Sequence, residues 1–325
     1  MQSRFALFGR IAVALACLLS VAPSWAQDWP AKPIRMIIPF TPGGVSDVMG
    51  RFWAQKLSQA LGTQVVAENR PGAGTTIAAG VIARAEPDGY TLYFADVTTH
   101  AINATLYSRL AFDSVEDFTP VALVAAAPLV FLVSEQFPAK TMKDFIKEAK
   151  AAPGKYNYAS SGNGTILHLS AELLKRQTGM DLMHIPYKGS ADAVLSTLNG
   201  QTTATFSTLP PALPQIQAHK LRALAVTSKD RNTALPDVPA LDELVPGFEI
   251  ILYSGILAPA RLPPEIAERI NQVVSKVLKE PETRKFYTEL GAAPVDMSPA
   301  RFKEHLRKQV ATLGELVKQS GAKAD

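Results

Sequence analysis

Short apolar runs alternate with amphipathic stretches along this chain, and that alternation restricts its fold more than any other feature. Ile34 to Phe40 reads as a first buried strand. Pro42-Gly43-Gly44 then turns the chain, and Ser46 or Asp47 can cap a helix. That helix places Val48, Met49, Phe52, Leu57 and Leu61 near one face, and Gly62 closes it. Further strands are expected at Thr63 to Val66, Thr91 to Ala95, Leu129 to Val133, Tyr156 to Ala159, Met183 to Tyr187 and Leu221 to Thr227. Strands interleaved with helices in this way predict an α/β fold with largely parallel sheets.

The middle of the chain looks like its own set of βα units. Thr141 with Asp144 resembles a capping box ahead of a helix stopped by Pro153-Gly154. Thr165 opens another helix, with Ile166, Leu169 and Leu173 on one face and Gly179 at its end. The last third is mostly helical: Pro264 suits a first turn, and Ser298-Pro299 starts a final helix striped by Phe302, Leu306, Val310, Leu313 and Val317. Two extended stretches, Val121 to Val133 and Phe248 to Ala258, exceed an ordinary strand. Each suits a crossing between lobes. The resulting division is one discontinuous lobe, 27–126 plus 252–325, and a second lobe, 127–251.

The N-terminal segment sets the compartment. Arg4 and Arg10 precede an apolar run from Ile11 to Val21, then Pro23 and Ser24-Trp25-Ala26. This is the pattern of a secretory signal peptide, with cleavage expected after Ala26. The run is about half of the ~20 residues that span a bilayer. The only cysteine, Cys17, lies inside that segment; Ala14 breaks the lipoprotein pattern around it, so anchoring by lipid is the weaker reading. A mature chain of about 300 residues then has no thiol, hence no disulfide, no thiolate metal ligand and no cysteine nucleophile, and is long enough for two domains. Losing Arg4 and Arg10 lowers the formal charge from +4 to +2, and no basic stripe supports nucleic-acid binding.

Two Gly-rich, hydroxyl-bearing loops each lead into a helix. One is Phe40-Thr41-Pro42-Gly43-Gly44-Val45-Ser46-Asp47, the other Ser160-Ser161-Gly162-Asn163-Gly164-Thr165. Either alone is as well explained by a tight turn with an N-cap. As a pair in separate halves, they would aim two helix N-termini, each carrying about half a positive charge, at one anion. Asp47 reads as a cap and loop brace, Trp53 as core, and Arg70 as half of a surface or inter-element ion pair more than a carboxylate clamp.

Enzyme readings fare worse. Ser160-Ser161-Gly162 is not a Gly-x-Ser-x-Gly elbow, and Pro42-Gly43-Gly44 lacks the Gly-Lys-Ser/Thr of a phosphate-binding loop. His168 lies one turn beyond Gly164 and is better read as a buried, hydrogen-bonded histidine than as a base. His100, His184, His219 and His305 show no metal spacing, and no cofactor is expected.

With these residues in place, the chain resembles the solute receptors of tripartite tricarboxylate transporters, the Bug (Bordetella uptake gene) family. The matching strings run in order from Lys32 to about Ala260: KPIRMIIPFTPGGVSD, VVAENRPGAG, AEPDGYTLYFA, DFTPVALV, NYASSGNGT, HIPYKG, LRALAVTSKDR, LPDVPALDELVPGFE and GILAPA. The resemblance implies a two-lobed Venus-flytrap fold (type II-like) with a two-strand hinge, a ligand carboxylate held by amides, hydroxyls and waters, and delivery to membrane permease subunits by a monomeric receptor. The contacts it implies in the first lobe are Phe40, Pro42, Gly43, Gly44 and Ser46, then Gly74 and Thr75, then Asp96 to Thr99 with Asp96 and Thr98 foremost. In the second lobe they are Ser160, Ser161, Gly162, Gly164, Thr165 and His168, the Tyr187 to Asp192 segment with Tyr187, Gly189 and Asp192 foremost, and Ser207 with Thr208.

Three positions depart from the family pattern: Thr75, Asp192 and Ser207-Thr208, where Asp-Asn is usual. Loss of that acid disfavours an ammonium-bearing ligand and points to a mono- or dicarboxylate, aromatic acids included. A ligand sensor would use the same cleft. A hydrolase built on Ser160 or Ser161 with His168 lacks an orienting acid.

Overall fold

The computed structural model describes residues 29–320, 322 and 324. The expected signal peptide, 1–26, lies outside them. Residues from Lys32 onward form one compact unit, whose fold is described below.

β1 (Ile34–Ile38) buries four of its five residues, as a strand covered on both faces must. It pairs in parallel with β2 (Val65–Asn69) and β3 (Thr91–Asp96). Helix α1 (Val45–Leu61) connects β1 to β2. It buries Met49, Trp53, Leu57 and Leu61, a run at four-residue spacing, and ends where Gly62 takes a left-handed conformation and donates to Ser58 O. Trp53 is core, as expected: its Nε1 donates to Tyr287 Oη at 3.1 Å, and that hydroxyl donates to Val124 O at 2.9 Å. Two short helices, α2 (Thr76–Ala83) and α3 (Val97–Leu106), complete this part of the first lobe.

β4 (Phe118–Pro128) leaves the first sheet and is followed after one residue by β5 (Val130–Ser134) of the second. In that sheet β6 (Tyr156–Ser160) runs parallel to β7 (Leu182–Pro186) and β8 (Ala204–Ser207), while β5 is antiparallel to β8 and to β9 (Leu221–Val226). Helices α4 (Met142–Ala151), α5 (Ile166–Thr178), α6 (Ser190–Leu198) and α7 (Leu209–Gln217) connect these strands. The chain returns as β10 (Ile251–Pro259), antiparallel to both β3 and β4, and β11 (Ala293–Pro294) pairs with β4. The strand orders are β11-β4-β10-β3-β1-β2 and β7-β6-β8-β5-β9. Of the C-terminal helices α8 (Pro264–Val277), α9 (Pro281–Glu289) and α10 (Pro299–Ser320), α8 and α10 pack on β4.

The sheets are therefore mixed, not largely parallel. The cause is topological: strands that carry the chain out of one lobe and back must run in opposite directions beside each other. Val121 to Val133 is likewise two strands, divided at Leu129 between the sheets. Buried Thr227 ties the two crossings together. Its amide donates to Leu129 O at 2.9 Å and its Oγ1 accepts from Leu129 N at 2.8 Å. The same hydroxyl donates to Ile250 O at 2.6 Å, while Ile250 N donates to Thr227 O at 3.0 Å.

Candidate functional site

β1, β3, β6 and β8 each end in a turn that starts a helix, so several helix beginnings collect between the sheets. They enclose a narrow cavity of about 10 Å³, room for about one water. Gly44 and Thr208 line it as the N-caps of α1 and α7, and Asp96 as the N-cap of α3. Ser190 is the first residue of α6 and Leu167 the second of α5. Phe40, Val45, Ser46, Ser161 and Leu252 complete the wall. Five helix N-termini thus face one small space, and among the described lining residues there is no lysine, arginine or histidine. Such a site suits an anion held by backbone amides and hydroxyls, with apolar walls for its carbon skeleton.

The two Gly-rich loops are held from behind. In the first, Gly43 N donates to Asp47 Oδ2 at 3.1 Å, while Asp47 Oδ1 accepts from Arg51 Nε and Asn69 Nδ2, each at 2.9 Å. Asp47 is the brace expected of it, but neither it nor Ser46 is the cap: both lie inside the first turn, and Gly44 is the N-cap with no side-chain cap bond. In the second, Gly162 N donates to Ser160 Oγ at 3.1 Å and Thr165 Oγ1 donates to Gly162 O at 2.8 Å. Gly164 N donates to His168 Nδ1 at 3.3 Å, and Ser160 Oγ lies 2.6 Å from His184 Nε2. The rings of His168 and His184 stack at 4.1 Å. Burial lowers the pKa of both, that of His184 to about 3 with a further contribution from His168, so both are neutral bases that support the loop. Asp96 is the opposite case. Burial pushes its carboxyl up to about 6, although Thr99 N at 2.9 Å and Thr99 Oγ1 at 2.8 Å both donate to it.

The lobes touch directly around the cavity. Thr41 Oγ1 donates to Asp192 Oδ2 at 3.0 Å, and Ile166 N donates to Thr99 Oγ1 at 3.1 Å. A Cβ on Gly189 would collide with Thr41 Oγ1, and one on Gly164, whose φ is +79°, with Leu106 Cδ2.

Of the residues singled out from sequence, Phe40, Gly44, Ser46, Asp96 and Ser161 line the cavity. Gly74, Thr75, Gly162 and Tyr187 line a neighbouring outer chamber instead. Gly164, Gly189 and Asp192 sit where the lobes meet, and Ser160, Thr165 and His168 brace the second loop. Pro42 and Gly43 are exposed. Thr98 is committed to β10, accepting from Tyr253 N at 2.8 Å and donating to Ile251 O at 3.2 Å. Ser207 Oγ donates to Thr208 O at 2.9 Å, and Thr208 is the one that lines the cavity. Arg70 forms the ion pair expected of it, with Glu68 as the partner. Leu167 and Leu252 were not singled out; Val45 and Ser190 stood only within the implied segments Phe40 to Ser46 and Tyr187 to Asp192, and Thr208 was named beside Ser207. Ser190 and Thr208 carry a usable signal, a hydroxyl at a helix start. Leu252 carries none, because an apolar residue on a crossing strand looks like core.

An α/β molecule of two lobes, with a cavity at the helix starts between them, is a solute-binding protein of the periplasmic type. Residues 49–322 match the tripartite tricarboxylate transporter family receptor, and the chain belongs to that family. It is similar to protein BugT of Bordetella pertussis, at 34% identity over 98% of each chain. An R. palustris protein solved with adipate superposes at a TM-score of 0.88 with 33% identity, covering 91% of this chain and 99% of that one. MatC from Rhodopseudomonas palustris, solved with malate, gives 0.84 and 30%, covering 89% and 100%. The family and its structural relatives are solute-binding receptors and not enzymes.

Proposed function

We propose that this chain is exported to the periplasm, with cleavage after Ala26, and there captures a small organic mono- or dicarboxylate as a monomeric receptor for tripartite transporter membrane subunits. The observation that carries this reading is the convergence of five helix N-termini on one cavity whose described lining contains no cationic side chain. Fixed backbone dipoles can hold a carboxylate without the desolvation cost of a buried lysine. Hydroxyls of Ser46, Ser161, Ser190 and Thr208 offer directional hydrogen bonds, and Phe40, Val45, Leu167 and Leu252 favour a carbon skeleton over a sugar. Relatives solved with adipate and malate support the same ligand class. The lobes, 27–126 with 252–325 and 127–251, close over the ligand by bending at Leu129 and Thr227.

A thermal-shift screen tests this. Small carboxylates should raise the melting temperature in a concentration-dependent way, with about 2.7 kcal/mol of stabilisation at a hundredfold excess over Kd. Stabilisation by sugars or metal ions alone would exclude carboxylate capture. Intact-mass measurement of protein exported by its native host should give an N-terminus at Gln27.

A further inference from the structure

Asp96 is the one ionisable group among the described residues that line the cavity, and it is buried, with 1% of its surface exposed. Both of its oxygens accept from a single neighbour: Thr99 N donates to Oδ1 and Thr99 Oγ1 to Oδ2. Thr99 Oγ1 in turn accepts from Ile166 N, the first amide of α5 in the other lobe. A line of hydrogen bonds thus runs from the second lobe through Thr99 to the Asp96 carboxyl. The elements around it offer no cation to balance its charge. On β3 and β10, burial keeps the hydroxyls of Tyr93 and Tyr253 protonated. On α3 and α5, burial keeps His100 and His168 neutral, and Glu172 pairs with Lys175 at 2.8 Å. On α1, Arg51 is held by Asp47 at 2.9 Å, and on α6 Asp192 accepts from Thr41.

We infer that this protein captures a carboxylate together with one proton from solvent, held between the ligand carboxylate and the Asp96 carboxyl. This rests on the carboxylate reading of the cavity. A space with room for about one water cannot hold a carboxylate oxygen apart from a carboxyl in its own wall. Two carboxylates at such range in a buried site do not both stay ionised, and the proton then belongs to the pair. The helix starts do not remove the conflict, because Asp96 already occupies one of them as the N-cap of α3. With the proton, the pair carries one negative charge, the same as Asp96 alone, and the carboxyl gains a hydrogen to donate to the ligand. The free protein is already poised for this, since burial brings the Asp96 carboxyl up to about 6. Closure adds to it: the Ile166 amide polarises the Thr99 hydroxyl that donates to Asp96.

Isothermal titration of adipate into the full mature chain, in buffers of different ionisation enthalpy, counts the protons taken up on binding. The wild-type protein should take up about one proton at about pH 7.5, and about half of one near pH 6, where the free carboxyl is already half protonated. Its affinity should fall by up to about tenfold per unit as pH rises from about 7 to 8. Asp96→Asn should bind adipate with no proton uptake and no such slope. Firm wild-type binding whose heat is the same in every buffer at about pH 7.5 overturns proton capture and leaves carboxylate capture standing, and this measurement decides even if the variant does not fold. Uptake that persists in Asp96→Asn also overturns it, by placing the proton elsewhere. Failure of the wild-type protein to bind adipate, malate or benzoate overturns both readings.

Discussion

Asp96 carries opposing demands. It caps α3 through the Thr99 amide, yet it faces a cavity suited to an anion while buried deeply enough to titrate at about 6. The folded protein therefore holds this proton more tightly than the unfolded chain, whose carboxyl titrates at 3.8. The charged form destabilises the fold above about pH 6, and that cost fades as pH falls towards 4. Asn caps as well as Asp without the charge. Asp96→Asn should match or exceed wild-type stability at about pH 7.5, by up to about 3 kcal/mol, and keep only about half of that advantage near pH 5. Chemical denaturation at the two pH values checks this; a variant less stable at both would show that Asp96 must be charged. Carboxylate affinity should also rise from about pH 7.5 to 6 in the wild type and stay level in the variant. Buried His100 works in the other direction. Burial lowers it from 6.5 to about 4, so its contribution is intact above pH 6.5 and falls by about 1.4 kcal/mol per unit on acidification towards 4. His100→Gln should flatten the decline in melting temperature between about pH 6.5 and 4.5, and an unchanged slope would assign that decline to His168, His184 or other groups.

At the level of elements, the informative positions are those where two segments meet. Gly189 has extended backbone, so a methyl there adds no strain, but it would collide with the Thr41 hydroxyl and break its bond to Asp192. Gly189→Ala should leave the ligand-free melting temperature nearly unchanged while weakening carboxylate binding by about 1 kcal/mol, or fivefold. An equal loss of ligand-free stability would place the contact within a lobe and not between lobes. Thr227 is a junction of another kind, because one hydroxyl serves both crossing strands. Thr227→Val keeps the shape and leaves a buried amide and carbonyl short of partners, at a cost of about 2 kcal/mol or more by urea unfolding. Thr227→Ser should recover most of it; failure to do so would assign the loss to packing.

For the whole molecule, the proposed ligand capture would couple to closure of the lobes as one equilibrium. The lobes are in contact through Thr41–Asp192 and Thr99–Ile166, contacts that a bound ligand would reinforce. Small-angle scattering should show the radius of gyration falling when a bound carboxylate is added, and identical curves would exclude hinge motion. Much of this architecture is legible in the chain itself. The βα alternation, the placement of α1 and α5, the brace at Asp47, the core role of Trp53 and both Gly-rich loops follow from local patterns, because caps, turns and apolar periodicity act within a few residues. The mixed sheet order does not, since hydrogen-bonding partners such as β10 and β3 lie about 160 residues apart and no local signal names them. The same limit governs the paired loops with which the reading of function began. Their sequence marks them as turns that open helices, and tertiary packing brings three further helix starts beside them. Packing also moves Gly164 and Asp192 to the lobe contact and makes Ser190, Thr208 and Leu252 the wall. A residue's type sets the interactions it can make, but only the fold decides what lies within reach.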